Sequence, residues 1–200
     1  MGKTIKQEDF RPLIGDDTKI APAKQVFKGF EVEKKFILLT PDGDYTKGGK
    51  GIVMYDEALR GGYRIAQGYL KDPQEAIKLV QELGITLEFA PNTIRLRKIG
   101  DDNFILTLKD KKATKTREVE WEIDKKIFNK YWKQTKGARV YKTRFEKNIK
   151  GFTFEIDAFT DRYLLMAECE VDNEESLAKV PKIGNDVTGQ SNFSNKHLSK

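Results

Sequence analysis

The sequence predicts an α+β fold in which a β-sheet curls round a polar interior, and three observations carry that prediction. The first is Phe30 to Leu39, FEVEKKFILL, where Glu31, Glu33 and Lys35 alternate beside an apolar run. Residues two apart on a strand share a face, so these charges project together while Val32, Lys34 and Phe36 take the other side. The second is recurrence. Alternation returns at Arg95 and Arg97, Thr107 and Lys109, Glu118, Glu120 and Glu122, Lys142 and Arg144, Glu155 and Asp157, and Glu168 and Glu170. The third is a pair of helical stretches, one after Asp72-Pro73 and one over Lys125 to Gln134. Strands that each present one charged face point to a curled sheet, because charges removed from bulk water need partners or ions. A solvated, half-exposed face is the plainer alternative for any one strand.

Each element follows from local signals. Residues 1–28 hold Pro12, Pro22 and scattered charge with little periodicity, and read as an N-terminal extension ahead of a domain over 29–200. TPDGDYTKGGKG after the first strand is rich in turn formers and reads as a loop. Its Gly43 to Lys50 is no P-loop, since Gly49 stands where lysine is required after Gly48. Tyr63 to Leu70 reads as a strand. The next helix has Asp72 as cap, Pro73 in its first turn, an apolar stripe of Ala76, Ile77, Leu79, Val80 and Leu83, and Gly84 as stop. Strands are expected at 93–99, 103–110 and 116–124. The helix over Lys125 to Gln134 buries Ile127, Phe128, Tyr131 and Trp132, and core packing outweighs a base-stacking platform there. Strands at 138–146, 151–159 and 163–172 follow, with Lys147 to Gly151 as a hairpin turn. Asp172 reads as the cap of a short helix running to Leu177.

Composition narrows the function classes. The chain has 200 residues, 38% hydrophobic and 34% charged, enough for one domain with a sizeable core. Lys and Arg number 37 against 31 Asp and Glu, a formal net charge of +6. An inward basic set contributes to that excess. A basic nucleic-acid patch competes, but acidic residues interleave with the basic ones, so no nucleic acid is expected as partner. No run approaches the roughly 18 apolar residues of a membrane span, and the N-terminus lacks the apolar core of a secretory signal. A cytoplasmic protein with no membrane partner is expected. The single cysteine, Cys169, excludes an intrachain disulfide and a thiolate cluster, and reads as a buried small hydrophobe. The single histidine, His197, lies close to the C-terminus, so any metal is held mainly by carboxylates. Oxygen ligands select a hard ion, Mg²⁺ or Mn²⁺, over zinc or copper.

Sorted by sign, the inward carboxylates are Glu31, Glu33, Glu118, Glu120, Glu122, Asp157, Glu168 and Glu170, and the cations are Lys35, Arg95, Arg97, Lys109, Lys142 and Arg144. Guanidinium and ammonium groups suit a polyphosphate, with arginine gripping phosphate oxygens bidentately and lysine supplying point charge. Carboxylates do not bind phosphate directly; divalent cations are their natural partners and bridge to the phosphate oxygens. The competing arrangement is a salt-bridge network on an open sheet.

In order along the chain, these motifs resemble the CYTH domains, or triphosphate tunnel metalloenzymes. ExExK is matched by Glu31, Glu33 and Lys35, QGYL by Gln67, Gly68, Tyr69 and Leu70, the paired arginines by Arg95 and Arg97, and TxK by Thr107 and Lys109. ExExE is similar to Glu118 to Glu122, KxR to Lys142 and Arg144, the late ExE to Glu168 and Glu170, and IGNDVTGQSNFSNKHL to the family's ending. The resemblance implies a closed antiparallel barrel of about eight strands with helices outside. It further implies a metal-dependent triphosphatase acting on tripolyphosphate or a nucleoside triphosphate. A class IV adenylate cyclase and a non-catalytic module that binds a phosphorylated ligand are the alternatives. Lys35, Arg95, Arg97, Lys109, Lys142 and Arg144 match the phosphate-binding set, with Lys35, Glu33 and Lys109 in catalytic roles. Glu31, Glu33, Glu168 and Glu170 match the main metal ligands, joined by Asp157 and by Glu120 and Glu122, although the glutamate triplet admits more than one register. The expected partner is a small-molecule triphosphate, and the expected assembly a monomer or homodimer.

Overall fold

The computed structural model describes residues 23–111 and 116–199. The strands are β1 (Lys24–Thr40), β2 (Gly43–Asp44), β3 (Tyr63–Tyr69), β4 (Thr93–Ile99), β5 (Asn103–Lys111), β6 (Thr116–Glu122), β7 (Arg139–Ile149), β8 (Phe152–Phe159), β9 (Leu165–Val171) and β10 (Asn185–Asp186). The helices are α1 (Gly51–Gly61), α2 (Pro73–Glu82), α3 (Lys125–Trp132), α4 (Glu174–Leu177) and α5 (Asn195–Leu198). The expected extension falls mostly on residues 1–22, which lie outside the described residues; from Lys24 the chain is already strand. The α+β class and the antiparallel pairing follow the expectation. The chain divides into two compact units, one containing Gln67–Arg139 and the other Glu31–Ala66 with Val140–Leu198.

In the first unit, β4, β5 and β6 form an antiparallel meander in which Arg95, Thr107 and Glu120 stand in one cross-strand row. Alternation sends Ile94, Leu96, Leu106, Leu108, Val119 and Trp121 to the opposite face, into one apolar cluster with Leu79 and Val80 of α2 and Ile127 and Phe128 of α3. Full burial of each such side chain contributes roughly 1.5–3 kcal/mol. Helix α2 starts where Asp72 accepts a hydrogen bond from Gln74 N, with Pro73 at its first position, and Gly84 beyond its end has a φ of +64°. Asp124 caps α3 through Lys126 N. Phe128 stacks on Trp132 and tilts against Phe104, so this aromatic group is core.

In the second unit, the Glu31–Thr40 part of β1 pairs with β9, β9 with β8, and β8 with β7. Phe36, Leu38, Phe154, Ile156, Ala158, Leu165, Ala167 and Cys169 form an apolar cluster that includes Ala58 of α1. The expected loop over 40–51 is not all loop, and helix α1 follows it without a signal in the sequence. Gly43 and Asp44 pair back on β1, and Asp44 accepts from Thr46 N and from Gly51 N at 2.7 Å. A carboxylate thus occupies the helix N-terminus where a P-loop would hold phosphate, which agrees with the rejection of that motif. The β7–β8 turn is tighter than the expected 147–151: Ile149 stands opposite Phe152, leaving only Lys150 (φ 54°) and Gly151 (φ 84°) as a left-handed pair. Asn173, not Asp172, caps α4, accepting from Ser176 N. Two adjacent polar residues look alike as caps in sequence, and β9 with the bend after it decides which one is placed to act.

Candidate active site

Within the second unit, alternation puts Glu33 and Lys35 of β1 on one face with Glu168 and Glu170 of β9, Glu155 and Asp157 of β8, and Lys142 and Arg144 of β7. Lys35 stands opposite Glu168, and Glu33 opposite Glu170. The Lys35 Nζ lies 2.8 Å from Glu168 Oε1 and 3.1 Å from Glu33 Oε1. Burial works against its charge, but these two carboxylates outweigh it and hold the ammonium well above the ordinary lysine range. Arg144 donates to Asp157 through Nε and Nη2, both at 2.6 Å, in a two-pronged grip, and also pairs with Glu155 and, at 3.5 Å, with Glu168. Lys142 donates to the same Asp157. Lys142, Arg144 and Asp157 are each at most 5% exposed.

The electrostatics follow from that crowding. Burial, together with the neighbouring Arg144 charge, pushes Lys142 down despite Asp157 and Glu168. Glu168 pays desolvation too, yet Lys35, Lys142 and Arg144 hold it well below the carboxylate range. Glu155 is pushed up by burial and by Glu168 and Asp157, with Arg144 opposing. The face thus holds carboxylates of opposite tendency a few ångströms apart, an arrangement found at functional sites.

Within the first unit the same logic gives a second cluster. Arg95 Nη2 donates to Glu120 Oε1 at 2.9 Å, to Thr107 Oγ1 at 3.0 Å and to Glu118 Oε1 at 3.3 Å. Arg97 Nη2 reaches Glu120 Oε1 at 3.0 Å, Thr107 donates to the same oxygen at 2.6 Å, and Lys109 pairs with Glu118. Burial raises the Glu120 carboxyl, but Arg97, Arg95 and the Thr107 hydroxyl bring it down to about 2. Gln67, 1% exposed, donates to the Tyr69 hydroxyl at 3.0 Å. Gly68 between them faces Thr135, and a Cβ there would lie 2.5 Å from its Oγ1.

The predicted residues therefore fall into two groups. Glu33, Lys35, Lys142, Arg144, Asp157, Glu168 and Glu170 share one face in the second unit, and Arg95, Arg97, Lys109, Glu120 and Glu122 share one in the first. Glu122 and Glu170 are exposed. The Glu31 side chain lies outside the described residues. The sequence places Glu118 among the inward carboxylates without a settled role, and Glu155 only among the alternating charges; Glu118 is 2% exposed between Arg95 and Lys109, and Glu155 lies against Arg144. The sequence marks Thr107 as a motif residue only, although it joins Arg95 to Glu120. Alternation was the signal available for all three.

Among the described residues, no three histidine, cysteine or carboxylate side chains converge as a preformed metal cluster. The donor chemistry is all oxygen and suits a hard divalent cation. Glu33 and Glu170, in register across β1 and β9, with Glu168 two residues from Glu170, form the carboxylate-rich end of that face.

No family model matches the chain. A relative named inorganic triphosphatase from Nitrosomonas europaea is 31% identical over 176 residues, covering 84% of this chain and 96% of the relative. Another protein of that name, from Acetivibrio thermocellus, is 27% identical over 177 residues, covering 86% and 94%. The crystal structure of a hypothetical protein is similar over 84% of this chain and 97% of its own, at 27% identity and a TM-score of 0.50. With that identity and coverage, and the ordered motifs placed as two ion-paired faces, the chain belongs to the CYTH, or triphosphate tunnel metalloenzyme, family.

Proposed function

We propose that the chain is a metal-dependent triphosphatase that releases orthophosphate from inorganic tripolyphosphate or a nucleoside triphosphate. The observation that carries this reading is that all six cations of the phosphate-binding set, Lys35, Arg95, Arg97, Lys109, Lys142 and Arg144, are held in place by carboxylates rather than dispersed in solvent. The inorganic triphosphatase relatives support the same activity. In this reading the guanidinium groups donate to phosphate oxygens in place of the carboxylates that now orient them, without reorganising the strands. Lys35 and Lys109 supply point charge where negative charge develops as water attacks a terminal phosphorus in line. Until phosphate displaces them, Glu120 and Asp157 keep the arginine planes aimed.

Glu31, Glu33, Glu168 and Glu170 would hold Mg²⁺ or Mn²⁺, with Glu120, Glu122 and Asp157 as further carboxylates of the proposal. When bound, such an ion supplies charge that neutralises the phosphate oxygens. A closed barrel of about eight strands, a single catalytic domain over 29–200, a cytoplasmic location and a monomeric or homodimeric state belong to the same proposal. Among the described residues no helix is long and apolar enough to cross a membrane. The test is phosphate release from tripolyphosphate and from ATP with each metal. Cyclic AMP and pyrophosphate as products, or no turnover of either substrate by folded, metal-loaded protein, would overturn it.

A further inference from the structure

The VTG segment of the tail has no part in the reading above, yet it touches the residue at its centre. Asn185 and Asp186 of β10 pair with Ile37 and Phe36 of β1. One step along, Val187 N donates to the Lys35 carbonyl at 2.9 Å, and Lys35 N donates to Thr188 Oγ1 at 3.1 Å. Thr188 is itself fixed: its N–H donates to Asp186 Oδ1 at 2.9 Å and its hydroxyl bonds to the same carboxylate. β9 stands beside β1 on its other edge, with Glu168 opposite Lys35. Val187, 2% exposed, anchors the segment in an apolar cluster of Ile37, Val140, Phe159 and Met166. These are the next residues on the charged face after Lys35, Lys142, Asp157 and Glu168 on their strands, so the tail is seated where that face turns apolar.

We infer that Thr188 is a positioning residue for Lys35, setting the strand beneath an ammonium that must sit between Glu33 and Glu168 and then meet phosphate. This role rests on the triphosphatase reading. A lysine side chain has four rotatable bonds, so its placement depends on where its backbone is held. The Lys35 N–H to Thr188 bond is exposed, and water can replace the lost acceptor at little cost to the fold. Function is less forgiving, since a displacement of about 1 Å at a catalytic group costs up to on the order of a hundredfold.

The test measures tripolyphosphate turnover by Thr188→Val, which keeps shape without the acceptor, Thr188→Ser, which keeps the acceptor, and Lys35→Ala with and without Thr188→Val. The expected result is a roughly tenfold lower kcat for Thr188→Val with KM within about twofold, near wild-type kcat for Thr188→Ser, and no further loss when Thr188→Val is added to Lys35→Ala. Wild-type kcat in folded Thr188→Val, or losses that add fully to those of Lys35→Ala, overturns the role. If Thr188→Val fails to fold, Asp186→Asn replaces it; that variant loosens the hydroxyl and is expected to lower kcat a few-fold, and wild-type kcat there overturns the role as well. A wild type inactive on tripolyphosphate overturns the triphosphatase reading and this role with it, whereas an active wild type with additive variants overturns this role alone.

Discussion

Replacing Glu120 with glutamine removes one negative charge from between two guanidinium groups while keeping the side chain's length and an acceptor oxygen. Arg95 and Arg97 both converge on Glu120 Oε1, and the Glu120 side chain is only 13% exposed, so solvent screens these pairs weakly. Its carboxyl is held at about 2 against an ordinary 4.5. At about 1.4 kcal/mol per factor of ten in acidity, that difference corresponds to about 3 kcal/mol of stability at neutral pH. For a chain of this size it lowers Tm by roughly 6–12 °C. Because the folded value lies below the unfolded one, the contribution is complete above 4.5 and is lost as pH falls from there towards about 2. Urea unfolding followed by circular dichroism, for wild type and Glu120→Gln at neutral pH and at about pH 3, measures both halves of this statement. The gap between the proteins should be wide at neutral pH and narrow markedly in acid. A gap below about 1 kcal/mol at neutral pH, or one of equal size at both, would refute the reasoning.

Glu33→Gln should abolish phosphate release while circular dichroism stays native, and Lys35→Ala should impair it; activity of Glu33→Gln near wild type at saturating metal would show Glu33 to be inessential. Asp157→Asn withdraws the charge shared by Lys142 and Arg144, both buried, and should cost roughly 3–5 kcal/mol in chemical denaturation; a cost below about 1 kcal/mol would mean the site relaxes or hydrates. Gly68→Ala places a methyl 2.5 Å from Thr135 Oγ1, which is held by Trp132 O and Arg139 Nε, so a loss of roughly 1–3 kcal/mol is expected in thermal unfolding, and an unchanged Tm would contradict the close contact.

Much of the fold was legible because its signals are local. Period-two charge marks β4 to β9, and an Asp-Pro start with an apolar stripe marks α2. Helix α1 was not legible. Lys50 at its start offers no side-chain cap, and the carboxylate that serves lies at Asp44, across a glycine-rich loop whose composition reads as turn throughout. The face of each site residue was legible for the same reason that the strands were. Depth was not. Glu118, Glu120 and Glu122 alternate identically in sequence, yet Glu118 is buried against Lys109, Glu120 lies between two arginines and Glu122 is exposed. What separates them is the register of β6 on β5, a long-range property that no window of a few residues encodes.

The pairing of the charged faces bears on how the protein meets polyanions at a distance. Lys35, Arg95, Arg97, Lys109, Lys142 and Arg144 are met by Glu33, Glu118, Glu120, Glu155, Asp157 and Glu168, six cations against six anions. A bare basic groove gathers mobile counterions and expels them on binding, so its affinity falls steeply as salt is added. Here the counter-anions are tethered to the same chain, and their effective concentration does not depend on the medium. Ligand entry is an exchange against fixed competitors, so the paired faces add little ionic-strength dependence of their own, and long-range attraction is left to the chain's net charge of +6. A compact polyphosphate that reaches more than one cation of a face can displace what holds them.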